Sequence, residues 1–301
     1  MIIVDMENSC YDDIRLKYGW KGDIRSILEK GGEGLKIKVR VADPAGNITV
    51  FVMTPVAREK YPAISRQILA RKELKGEQVG FVERTDQGRF RMEMMGGEFC
   101  GNATRSFAYL LSMLSGQEQQ ELDVEVSGSE KPLKAVVDRT EGTSQVEMPL
   151  PKEIMVLETE TGETYPMVVF DGICHVIVEG EPRKGEFVED ILKRAKEMCP
   201  CGAWGIMFLK GDQMTPAVYV ESTDSLVWES SCGSGSMAAA VYLSQREGDG
   251  EYFYTLYQPG GEIRAAVSKK TGEIVRCTMG GPVRISQEME LEIEDNEVDI
   301  L

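Results

Sequence analysis

Two cysteines stand in matching surroundings. Cys100 opens Cys100-Gly101-Asn102-Ala103-Thr104-Arg105, and Cys232 opens Cys232-Gly233-Ser234-Gly235-Ser236-Met237, 132 residues further on. In each case a Cys-Gly turn leads through small polar residues into a run of good helix formers. Glycine permits the tight turn, and Asn102 or Ser234 suits the cap position. The helices expected over 104–114 and 236–246 are apolar on most faces, so they belong inside a core. A helix N-terminus carries unpaired N–H groups and about half a positive charge. It therefore lowers the pKa of a nearby thiol and binds a carboxylate-sized anion. Two such units face to face would set one thiol on each side of a single bound carboxylate. That arrangement suits removal of a proton from one face of a Cα and its return to the other.

The elements that must hold these turns repeat in style. Leu35–Val41 alternates apolar and polar with period two, Asp43–Asn47 is a turn, and 48–52 is a second strand. Helical character follows over 57–74. Strands are expected at 79–83, 90–95, 122–126, 134–138 and 144–148. Pro149-Leu150-Pro151 reads as a seam. Beyond it come strands at 166–170 and 174–178, a helix at 187–198, and strands at 206–209, 217–220, 253–257, 262–267 and 274–278. The expected organisation is an extension over 1–35 with a short helix at 23–30, then two domains and an acidic tail. The domains are 36–149, carrying Cys100, and 150–285, carrying Cys232, with the last strands of the second returning to the first. The tail, 286–301, reads as solvated chain or an edge strand.

At 301 residues the chain is long enough for two cored domains. Its net charge of −16, with no basic stripe, excludes a nucleic-acid partner and disfavours an anionic membrane surface. No window has the apolar length of a span, and residues 1–6 lack the basic start of a signal peptide. The expected location is the cytoplasm. Seven cysteines, an odd number in a large chain, argue against a disulfide framework.

The quoted cysteine segments resemble the diaminopimelate epimerase superfamily of racemases and epimerases that work without pyridoxal phosphate. Ala45-Gly46-Asn47 and Gln258-Pro259-Gly260-Gly261 fit the same pattern. Pro44-Ala45-Gly46-Asn47, Glu77–Phe81, Gly97–Thr104 and Val227–Gly235 are similar to the histidine racemase branch. The resemblance implies an α/β (α+β) chain of two pseudo-symmetric domains, each a curved sheet or barrel around a central helix. It implies an isomerase with no cofactor and no metal, a small amino acid as substrate, and a possible homodimer. Cys100 and Cys232 would exchange the roles of thiolate base and thiol acid. The backbone amides of Gly101, Asn102, Gly233 and Ser234 would hold the substrate carboxylate, and Asn47 would touch the substrate.

Departures narrow the substrate. Gly172-Ile173-Cys174-His175 stands where diaminopimelate epimerases have Gly-Asn-Pro-His, and Glu229-Ser230-Ser231 where they have Glu-Arg-Gly. Histidine or another amino acid is thus favoured over diaminopimelate. Glu229 and Glu98 flank the cysteines; either carboxylate could meet a substrate ammonium or simply cap and solvate. His175, the one histidine, is either a neighbour of the thiols or a core residue. Cys199-Pro200-Cys201 reads as two loop thiols, because structural zinc usually needs four Cys or His ligands. Two other classes compete: a phenazine-biosynthesis-type isomerase relying on Glu98, which leaves Cys232 idle, and a redox-responsive ligand-binding protein in which the two cysteines form a switchable disulfide.

Overall fold

The computed structural model describes residues 34–294; the helix expected over 23–30 lies outside them. Eighteen strands join in one continuous, mixed sheet. Strands β1 (Leu35–Asp43), β2 (Thr49–Val52), β3 (Gln78–Arg84), β4 (Phe90–Met94), β5 (Gln119–Val126), β6 (Leu133–Asp138) and β7 (Thr143–Met148) pair in chain order. Helix α1 (Tyr61–Leu69) connects the parallel strands β2 and β3, and helix α2 (Gly101–Ser115) the parallel strands β4 and β5.

The second half follows a similar order with one more strand before each helix. Strands β8 (Glu153–Glu158), β9 (Thr164–Val169) and β10 (Ile173–Glu179) precede helix α3 (Glu186–Met198). Strand β11 (Ala203–Lys210) lies parallel to β10, and β12 (Gln213–Val220) antiparallel to β11. The short β13 (Ser225–Trp228) leads to helix α4 (Gly233–Ser244). After it β14 (Gly250–Gln258) returns parallel to β12, followed by β15 (Gly261–Lys270) and β16 (Glu273–Pro282). Two strands come last among the described residues, β17 (Arg284–Ile285) and β18 (Met289–Ile293), and both pair with β1.

This corrects the expectation of two pseudo-symmetric domains, each a curved sheet or barrel around a central helix. Strand β16 pairs with β7 over six residues, Cys277 opposite Met148 through Pro282 opposite Thr143, so the halves share one sheet. Helices α2 and α4 also touch. Ala103, Phe107, Ala108 and Leu110 of the first share a single apolar cluster with Met237–Val241 of the second. A helix apolar all round must be enclosed. Here strands of the shared sheet enclose both, β5–β7 against α2 and β9–β11 with β14–β16 against α4, and the helices touch each other besides.

The outer helices obey ordinary amphipathic logic. In α3 the buried residues Val188, Ile191, Leu192 and Ala195 recur at helical spacing and cover the outer face of β10 and β11. Helix α1 covers the β1–β3 face with Ile64 and Ile68. It is shorter than the 57–74 stretch expected, because Pro62 fixes its start and 3-10 turns flank it at 58–60 and 72–74. No helix among the described residues is long and apolar enough to cross a membrane.

Candidate active site

Both helices are capped two residues earlier than the cap positions read at Asn102 and Ser234. Cys100 and Cys232 are themselves the N-caps, each with extended backbone (φ −131°, ψ 112° and φ −126°, ψ 114°). The Cys100 sulfur accepts from the Ala103 N–H at 3.5 Å, and the Cys232 sulfur from the Gly235 N–H at 3.4 Å. Sulfur here takes the place that serine or aspartate oxygen holds at an ordinary cap. The likeness extends a turn further: Thr104 Oγ1 donates to the Cys100 carbonyl at 2.7 Å, and Ser236 Oγ to the Cys232 carbonyl at 2.6 Å.

The two N-termini converge. A Cβ on Gly233 would lie 3.7 Å from the Asn102 amide nitrogen and 2.7 Å from Met279 Sδ. A Cβ on Gly101 would meet Met148 Sδ at 2.8 Å and Met279 Cε at 2.9 Å. Met279, fully buried, thus touches both turns, and glycine at 101 and 233 lets the helix ends approach. The backbone amides of Gly101, Asn102, Gly233 and Ser234 fall in the first helical turns, where N–H groups have no partner within the helix.

Each thiol has its own polar neighbours. Asn47 Oδ1 lies 4.0 Å from Cys100 Sγ and accepts from Asn102 Nδ2 at 3.2 Å and Gln78 Nε2 at 2.9 Å. Asn47 Nδ2 donates to Glu77 at 2.9 Å. On the other side, Ser234 Oγ sits 3.7 Å from Cys232 Sγ and 2.9 Å from His175 Nε2. The Cys232 N–H donates to Gln258 Oε1 at 2.8 Å, and Gln258 Nε2 to Ser236 Oγ at 2.9 Å. His175 is fully buried, and desolvation pulls its pKa down to about 3, so the ring is neutral.

Burial decides the electrostatics. It pushes both thiols above their ordinary value, against the helix-end N–H groups that favour the thiolate. The lowering expected from a helix N-terminus alone is therefore outweighed here. Glu229 is raised to about 7, first by burial and also by the charge of Glu77, while its contact with Cys232 acts the other way. Glu77 is raised too, again chiefly by desolvation. Glu98 is exposed.

Three contributors escaped the sequence reading of the site. Gln258 buttresses Cys232. Met279 separates the helix ends. Arg105, with no exposed surface, donates to Asn102 Oδ1 at 3.1 Å, the Pro282 carbonyl at 2.9 Å and the Pro44 carbonyl at 2.9 Å. Desolvation lowers its pKa to about 10, which leaves it charged near neutrality. A single arginine in an otherwise uncharged helix is its visible signal.

The fold is similar to that of a Clostridium difficile (strain 630) protein assigned to phenazine biosynthesis. The likeness has a TM-score of 0.60 at 14% identity, over 85% of this chain and 100% of that one. It is also similar to a hydroxyproline epimerase from Agrobacterium vitis, at a TM-score of 0.59 and 12% identity, over 86% and 93%. In sequence, a histidine racemase of Fusobacterium nucleatum is 35% identical over 69% of this chain and 83% of its own length. The chain is accordingly an isomerase, an amino-acid racemase. A family model described as the histidine racemase CntK N-terminal domain matches residues 36–290, and the chain belongs to that family.

Proposed function

We propose that the chain interconverts the enantiomers of histidine, using Cys100 and Cys232 as a cofactor-independent base and acid. The observation that carries this reading is the convergence of two helix N-termini, each capped by a cysteine sulfur. The substrate carboxylate binds between the turns, to amides of Gly101, Asn102, Gly233 and Ser234. One thiolate takes the Cα proton, so a Cα–H bond breaks and an S–H bond forms. The opposite thiol then gives its proton to the other face of the carbanion. The enolate-like charge that develops between the two steps falls on the carboxylate, where fixed donors in a dry cleft stabilise it.

The raised thiols set a condition: the base must become a thiolate only when substrate arrives. A substrate ammonium beside Glu229, Glu77 and Asn47 supplies the positive charge that lowers the nearby pKa values. Two carboxylates also suit a substrate that carries a second, titratable cation, as histidine does. That the relatives are named histidine racemases points the same way. The missing Asn of the Gly-Asn-Pro-His pattern and the missing Arg after Glu229 argue against diaminopimelate.

The test is incubation of the reduced protein in D₂O with L-histidine and other single L-amino acids, without added pyridoxal phosphate. The readouts are Cα deuteration by NMR and chirality by chromatography. Deuterated D-histidine should form, and Cys100→Ala and Cys232→Ala should each slow racemisation by about 10³-fold or more. Racemisation that survives in either variant overturns the two-thiol mechanism, and a faster amino acid displaces histidine.

A further inference from the structure

Outside this site Cys174 meets the Cys199-Pro200-Cys201 pair in space, although it lies 25 residues before it. The Sγ atoms of Cys174, Cys199 and Cys201 all lie within 4.8 Å of one another. They come from three elements: Cys174 from the start of β10, Cys199 from the C-cap of α3, and Cys201 from the loop entering β11. Cys174 is buried at the base, and Cys199 and Cys201 are half-exposed above it. All three are free thiols.

The surrounding backbone holds this arrangement in place. The Gly202 N–H donates to the Gly172 carbonyl at 3.2 Å, which ties the α3–β11 loop to the turn before β10. Glu221 N–H donates to the Gly202 carbonyl at 3.0 Å. Trp204, buried and opposite Cys174 in the β10–β11 register, donates its indole N–H to the Cys199 carbonyl at 2.9 Å. The thiols are thus presented before any ligand arrives.

We propose that Cys174, Cys199 and Cys201 form a three-thiolate site for a thiophilic d¹⁰ metal ion. Three sulfurs at about 2.3 Å from a trigonal centre stand about 4 Å apart, inside the 4.8 Å that spans the three here. Thiolate ligands select copper(I) and zinc(II) over hard cations. A trigonal sulfur set completes the shell of copper(I), whereas zinc(II) adds a water as fourth ligand. Each thiol loses its proton to solvent as its sulfur binds the ion. The C-terminal end of α3, at Cys199, carries the negative pole of the helix, which favours a cation there. The site backs directly onto the reaction centre. Strand alternation turns Cys174 to the outer face of β10, while its neighbour His175 reaches Ser234 on the inner face.

The experiment titrates the full, reduced chain anaerobically, once with copper(I) in competition with bicinchoninate and once with zinc(II) in competition with a chromophoric chelator. One ion per chain should bind in at least one arm, with a thiolate-to-metal absorption band and a change in Trp204 emission. Cys199→Ser and Cys201→Ser, both near the surface, should each weaken binding by about a hundredfold or more. Cys100→Ser and Cys232→Ser should leave the stoichiometry unchanged, which separates this site from the catalytic thiols. Binding of neither ion, or binding that is unaltered by Cys199→Ser and Cys201→Ser, overturns the proposal.

Discussion

At the scale of single residues, Glu229 offers a signature in pH. Its carboxyl titrates near 7, against an ordinary value of 4.5. Between those values the folded chain holds a proton that the unfolded chain has released. Stability from this group is therefore complete below about 4.5 and is lost as pH rises through about 7. Glu229→Gln should flatten that slope in urea titrations made from pH 4 to 8. It should also raise the melting temperature at pH 8, by about 2–4 °C for each kcal/mol recovered. Racemisation should lose a limb near pH 7 in the same variant. Arg105 behaves differently, because its three acceptors are neutral and wholly or partly buried. Arg105→Met strands the Asn102 side chain and two carbonyls, so unfolding free energy should fall by about 3 kcal/mol or more in denaturant. Alkylation of Cys100 by iodoacetamide should slow as well, since a buried cation that favours its thiolate is gone.

At the scale of elements, the loops that cross between halves tolerate nothing extra. Gly46 has φ +86°, and a Cβ there would lie 2.8 Å from Gly260 Cα. A Cβ on Gly260 would lie 2.3 Å from the Ala45 carbonyl oxygen, and backbone cannot swing aside as a side chain can. Gly260→Ala should cost about 2 kcal/mol or more and reduce racemisation, checked by thermal melting and turnover. Gly101→Ala and Gly233→Ala press closely only on flexible methionine ends, with the Asn102 nitrogen at an ordinary 3.7 Å from the latter, so their stability loss should be smaller. These elements also mark how far the sequence could be read. The Cys-Gly turns, most strands and the helices they start were legible because period and turn chemistry are local. Strand β8 was missed although Glu153–Glu158 is regular, because its exposed Ile154 and Val156 hide the alternation. The meeting of Cys174 with Cys199 and Cys201 was invisible for another reason. It depends on β10 lying parallel to β11, and Cys-Pro-Cys alone shows no third thiol.

At the scale of the whole molecule, the single sheet replaces the two barrels because long-range pairings are not written in periodicity. The sequence points to a return of the last strands to the first half, but not to the partners and register of the β7–β16 seam or of β17 and β18 on β1. Ending the chain before Met289 removes β18, with its buried Leu291 and Ile293, and strips one side of β1. The shortened chain should melt lower and form larger species in size-exclusion chromatography, as an unpaired edge invites pairing with another copy. The same pairing sets a clock on biosynthesis. Leu35 finds its place opposite Ile293, so β1 leaves the ribosome long before this partner exists. At ordinary elongation rates that interval is about 10–50 s. Throughout it, β1 has β2 on one side and an open ladder on the other, a period in which a nascent-chain chaperone has something definite to cover.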